Sequence, residues 1–368
     1  MRTILLATAV SILPTALAAQ RALADVQRAF AAAANELAKK QPTEEQRRGL
    51  LQQQVAELGA FVQKEAAGDD RWNGRLMLAD LSLGLGDRAG AMTALRGIDL
   101  DAAPALLLVS GAPLVQYLGE RELRDRWLEK ALAKPAPVPD RLAIARILMT
   151  NLHEIARAEA IYKETLAAAA DDEQRAQVRF QRADALRDRE DLPENAGFDE
   201  LEKLATDLPD TYWGGIAKDR LRATRLQIGD RAIRIHTRTR TGEEVSLAKL
   251  AGKIIVLAFW SATDYDTPVL VQTLADLQKK HGDALFVLGV ALDRDPATID
   301  RAIADLGITF AVAGDGKGAD SDLALRWFVA GPTITVIDRE GKVAAQGLHV
   351  GTADARSDLA QVIQDARR

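Results

Sequence analysis

The chain has 368 residues, enough for two or three domains at ~100–200 residues each. Its 48 basic and 53 acidic residues leave a net charge of −5 and a pI near 5.6, which argues against a general nucleic-acid binder with a basic face. Cysteine is absent, so no disulfide, thiolate nucleophile, lipid-modified N-terminal Cys, Cys-zinc site or iron–sulfur ligand set can exist. Only four His are present, and they are widely scattered, so no metal site and no cofactor is expected.

Residues 1–19 have the composition of an export signal. Arg2 supplies the charged start, an apolar run follows, and Ala16-Leu17-Ala18 has the small-x-small pattern of a cleavage site. Ala22-Leu23-Ala24 is a second candidate site. The run falls short of the ~20 residues of a bilayer span, and Pro14 interrupts it. No later stretch is long and apolar enough to span. The expectation is a mature chain without a transmembrane segment, in the periplasm or secreted.

Residues 20–225 are read as an all-α domain. Ala, Leu, Arg, Glu and Asp recur at helical spacing, punctuated by turns such as Leu85-Gly86-Asp87 and Leu208-Pro209-Asp210. Phe61, Leu95, Trp127, Tyr162 and Leu201 follow one another at intervals of 34, 32, 35 and 39 residues. Each could fill the second helix of a helix pair. Ala91 with Leu95, and Ala158 with Tyr162, give a small residue and a large one on the same helix face. This period resembles tetratricopeptide repeats, which offer a surface to a peptide or protein and carry no chemistry of their own. An irregular helical bundle is the alternative.

Residues 226–368 change texture. Gly252–Ala262 is a near-continuous apolar strand, as in a sheet covered on both faces. Asp283–Leu292 and Pro332–Asp338 are further strands, the latter followed by a turn at 339–342 and a strand over 343–350. Helices are expected over 267–282, 296–307 and a segment ending near Phe328, the last capped by Asp320 or Ser321. His281 falls at a helix end, where a cation suits the dipole. A strand–helix–strand unit closed by a hairpin implies a mixed α/β sheet. The Gly-rich run 314–318 lacks phosphate-loop spacing and reads as a turn.

Ile228-Gly229-Asp230, Gly242, Val245-Ser246-Leu247, Gly252-Lys253 and Phe259-Trp260 form a series of motifs, continued by the later segments 288–295 and 312–343. Together they resemble thioredoxin-like proteins of the TlpA and peroxiredoxin-related type. The resemblance covers about Leu226 to Arg368. It implies a thioredoxin-like α/β domain with a mixed sheet. It also implies a Cys-x-x-Cys pair at the start of the helix after Phe-Trp, and a cis-proline loop beside that helix. Counted from Trp260, the pair falls on Asp264 and Thr267. Neither side chain can form a mixed disulfide, so thiol–disulfide exchange and Cys-dependent peroxide reduction are excluded by composition. Pro332 takes the place of the family's proline, although the spacing from Val329 is one residue shorter than in the family pattern.

Three readings of Ser261–Pro268 remain. Thr267 can be a helix N-cap with Pro268 at the first helical position, aided by the charges of Asp264 and Asp266. Alternatively, Trp260, Asp264, Tyr265, Thr267 and Pro332 can surround a residual binding groove. A calcium site from Asp264, Asp266, Asp293 and Asp295 is the third, without a dense Asp/Asn/Gly loop to support it. The expectation is therefore an exported envelope protein that binds a protein or peptide through a redox-inactive thioredoxin-like domain. The alternative is an enzyme using Asp264 in non-thiol acid–base chemistry.

Overall fold

The structure is a computed structural model that describes residues 22–38, 42–193 and 195–367. The expected export signal lies outside the described residues. The chain forms two compact units that divide at Thr165 and Leu166. No helix among the described residues is long and apolar enough to cross a membrane.

The described residues of the first unit form helices joined by turns and short connections. Its helices are α1 (Leu23–Ala38), α2 (Glu44–Lys64), α3 (Gly68–Gly84), α4 (Arg88–Arg96), α5 (Ala105–Tyr117), α6 (Arg121–Leu132), α7 (Val138–Thr150) and α8 (Ile155–Ala167), the last running across the division. Neighbours pack closely, α3 on α4 and α5 on α6. Phe61, Leu95, Trp127 and Tyr162 lie on α2, α4, α6 and α8, and all are buried. Small residues make room for them. A Cβ at Gly111 of α5 would lie 2.7 Å from the Trp127 ring and 2.6 Å from Leu76. Only glycine lets α5 and α6 approach to this distance. Capping sharpens the turns: Thr43 and Gln46 form a reciprocal capping box on α2, and Asp87 accepts the Gly90 N–H on α4.

The second unit begins with α9 (Asp172–Arg187), α10 (Phe198–Asp207), which carries buried Leu201, and α11 (Tyr212–Ala223). A small hairpin follows, β1 (His236–Arg238) with β2 (Glu244–Ser246). The main sheet contains β3 (Ile254–Trp260), β4 (Leu285–Ala291), β5 (Ala311–Ala313), β6 (Thr333–Ile337) and β7 (Val343–Leu348) in the order β5-β4-β3-β6-β7. β3, β4 and β5 run parallel, whereas β6 and β7 are antiparallel to their neighbours. The mixed sheet matches the sequence expectation.

All seven residues of β3 are buried, because both sheet faces are covered. Ile254, Val256, Ala258 and Trp260 pack against α12 (Thr267–His281), α13 (Pro296–Asp305) and α15 (Ala353–Asp365). Ile255, Leu257 and Phe259 face α14 (Asp322–Trp327) and the segment from Leu226 to Leu250. Alternate residues of one strand thus serve two cores.

A buried ion pair joins α11 to α14, and another joins α9 to α11. Arg326, 3% exposed, donates to Asp219 at 2.7 Å and to Asp322 at 3.0 Å. Arg220 donates to the Leu325 carbonyl at 3.3 Å and to Asp184. Leu325 packs with Phe180, Leu201, Leu204 and Ile216. A buried guanidinium is tolerable only when paired and hydrogen-bonded, so removing one partner is costly.

Two details differ from the sequence reading. Ser321 does precede α14, but its hydroxyl makes no cap hydrogen bond, and Asp320 pairs with Arg294 instead. His281 does end α12, but burial first, then Arg367 and Lys280, hold its pKa below the usual histidine value. Desolvation and two neighbouring cations thus outweigh the attraction of the helix C-terminus.

Two outcomes are expected. Asp219→Ala leaves Arg326 Nη1 without its carboxylate, with Asp322 as the remaining partner, and should lower stability by about 2 kcal/mol in chemical denaturation, with Asp219→Asn losing less. His281 favours the neutral form on folding. Its contribution is therefore complete above the unfolded pKa of ~6.5 and lost as pH falls below it. His281→Gln should flatten the decline in melting temperature between pH 7.5 and pH 5 relative to wild type. Parallel pH profiles would contradict this assignment.

Candidate functional site

β3 ends at Trp260, and the loop Ser261–Asp266 connects it to α12. Hydrogen bonds from the end of β4 set the path of this loop. The Leu292 N–H donates to the Trp260 carbonyl at 2.7 Å. The buried carboxylate of Asp293 accepts the Ser261 hydroxyl at 2.9 Å and the Ala262 N–H at 2.9 and 3.1 Å. The Thr267 hydroxyl, itself buried, donates back to the Ser261 carbonyl at 2.6 Å. Within the loop, Asp264 Oδ1 accepts the Asp266 N–H at 2.9 Å.

These bonds revise the capping scheme by one residue. Asp266 is the N-cap, without a side-chain cap bond, and Thr267 is the first helical residue with Pro268 behind it. The Thr267 hydroxyl acts as a donor to a carbonyl, so it does not cap an N–H. Asp264 and Asp266 remain beside the helix start, where negative charge is favoured.

A pocket of about 240 Å³ opens beside this helix start. Asp264, Asp266 and Thr267 line one side, Pro332 and Thr333 a second, and Leu348, His349 and Val350 a third, with Phe259, Leu270 and Ile334 completing the wall. Of the residues expected at a groove, the pocket collects Asp264, Thr267 and Pro332. It excludes Trp260, whose ring is buried against Gly289 and Phe310 in the core. Tyr265 stands outside it at 95% exposure, between the two aspartates in sequence. The peptide before Pro332 is trans, as no cis bond occurs among the described residues.

The sequence alone did not single out Leu348, His349 and Val350 for this site. They follow the last strand, and only the antiparallel pairing of β7 on β6 brings them here. The carboxylates of the proposed calcium set are dispersed. Asp293 holds the loop, and Asp295 caps α13 by accepting the Ala297 and Thr298 N–H groups. Among the described residues no group of three His, Cys, Asp or Glu could hold a metal ion.

A buried strand, a loop, a helix start and a facing proline loop in this order define a thioredoxin-like domain. The AhpC/TSA family pattern matches residues 228–346. "Thioredoxin-like protein YneN" of Bacillus subtilis is 30% identical over 131 residues, covering 34% of this chain and 74% of that protein. The chain therefore belongs to this thioredoxin-like family through its C-terminal part. Similar solved structures include a Chlorobium tepidum protein described as a thiol:disulfide interchange protein DsbE. It shows 30% identity, coverage of 39% of this chain and 99% of that one, and a TM-score of 0.35. A secreted Mycobacterium tuberculosis disulfide oxidoreductase shows 17% identity, coverage of 36% and 95%, and a TM-score of 0.31. The thioredoxin-like domain of this chain thus stands without any cysteine.

Replacing Asp293 tests the role of the loop. Asp293→Ala should cost about 2 kcal/mol of stability by leaving the Ala262 N–H and Ser261 hydroxyl unpaired. It should also speed proteolysis within 261–266. Asp293→Asn, which retains one acceptor oxygen, should lose less on both readouts.

Proposed function

We propose that this protein is a pseudoenzyme that holds a partner protein or peptide non-covalently in the pocket at the end of β3. The pocket itself is the observation that supports this reading. The pocket lies where a strand end meets a helix start, and the count along the loop from Trp260 sets Asp264 and Thr267 at the positions of the family's thiol pair. A carboxylate or hydroxyl can hydrogen-bond a substrate but cannot exchange with its disulfide.

The residue period in the first unit and in α9–α11 supports a tetratricopeptide-like domain over 20–225, which would supply a second binding surface. The thioredoxin-like domain then spans 226–368. The charged start, apolar run and small-x-small site within residues 1–19 support export to the periplasm or beyond, with the signal removed. The partner would be another envelope protein.

Purified protein should reduce neither insulin disulfides nor peroxide above a buffer blank, and turnover free of contaminants would overturn the reading. The double variant D264C/T267C puts thiols at both positions, at i and i+3 beside the start of α12. It should form an internal disulfide and gain measurable insulin reduction. A variant that folds, forms no disulfide and stays inert would mean that these are not the vacated positions.

A further inference from the structure

We infer that the pocket at the end of β3 takes a cationic side chain, a lysine or arginine carried on an extended segment of the partner. This rests on the reading of the pocket as the binding site and assigns the chemistry of its ligand. The wall is largely apolar, with Leu270, Ile334, Leu348 and Val350 among its residues. Asp264 and Asp266 stand at one side of it. Neither carboxylate makes an ion pair with a cation among the described residues.

The other charged or titratable groups nearby do not neutralise them. His349 lines the opposite side and is exposed. Arg356 directs one N–H to the Val350 carbonyl at 2.9 Å and forms no ion pair with either aspartate. The pocket therefore offers an aliphatic surface that ends in carboxylates without a cationic side-chain partner. A lysine or arginine has the matching shape, an apolar stem that packs on such a wall and a charged head that reaches past it. An acidic side chain would meet like charge, and a purely aliphatic one would leave the carboxylates without a partner.

Tyr265 adds a second recognition element. Its side chain is 95% exposed, although it sits between the two aspartates in sequence. An exposed aromatic ring beside carboxylates can cover a bound cation with its face.

Binding of fluorescent peptides to the full chain, read by polarisation, tests the assignment. The probes are Gly-Leu-X-Leu-Gly peptides in which X is lysine, norleucine or glutamate. The lysine peptide should bind about tenfold or more tightly than the other two, in keeping with a charge-assisted hydrogen bond, and should weaken as salt rises. D264N/D266N should erase this preference with only a small fall in melting temperature, because the charges at the helix start are lost but the amide oxygen that D264N introduces can still accept the backbone N–H at position 266. Equal binding of lysine and norleucine, lost in Val350→Arg, would overturn the cation assignment and leave the pocket as a binding site. A lysine preference that survives D264N/D266N would also overturn it. Failure of all three peptides to bind would overturn both readings.

Discussion

The buried carboxylate of Asp293 fixes the end of the central strand, and the site depends on it. A carboxylate held at 8% exposure is costly unless its oxygens are bonded, and here Ser261 and Ala262 supply those bonds. They tie the residues leaving β3 to the residues leaving β4, continuing the parallel pairing past the last ladder partner, Trp260 with Ala291. Because β3 is covered on both faces, its exit point cannot move without disturbing two cores. Thr267 closes the loop from the other end by donating to Ser261. The loop is thereby held in one path, and the start of α12 is placed beside the pocket.

The facing wall is held from a different part of the chain. Phe328 ends α14 in the left-handed region at φ 55°, which an L-residue adopts only at a cost of about 1 kcal/mol. Its ring lies under the guanidinium of Arg187 at 4.2 Å and that of Arg220 at 5.2 Å, with Phe198 edge-on at 6.4 Å. These contacts offset the backbone cost and turn the chain into the short segment that leads to Pro332. α9, α10 and α11 thus support one wall of the pocket through α14, while the sheet and Asp293 support the other.

Local patterns made the sheet legible in the sequence. β3 and β4 are uninterrupted apolar runs, which only a doubly covered sheet accommodates, and the turn at 339–342 announced the β6–β7 hairpin. The N-terminal helices were equally open to reading, since Phe61, Leu95, Trp127 and Tyr162 needed only a helical period to be placed in the core. The site was legible only where it lies close in sequence. Asp264 and Thr267 follow from a count along the loop, whereas His349 lies 85 residues beyond Asp264 and reaches the pocket only through strand order. Residue type also leaves hydrogen-bond direction open. A one-residue shift of the helix start turns Thr267 from an acceptor into a donor, and burial turns His281 from an expected cation into a group that resists protonation.

The electrostatics of α12 explain why a thioredoxin-like fold can stand without cysteine. In a thiol-disulfide oxidoreductase the helix start favours the thiolate because unpaired N–H groups there create a positive potential. That potential comes from the backbone and persists whatever side chain occupies the loop. Asp264 and Asp266 place anions within it, and Asp264 accepts an N–H of the same turn. The stabilising half of a thiolate arrangement, an anion against a helix dipole, is therefore present here. The reactive half, a polarisable sulfur able to leave and return, is absent. A carboxylate can use the same helix start as a thiolate would, yet it offers no exchange chemistry to whatever enters the pocket beside it.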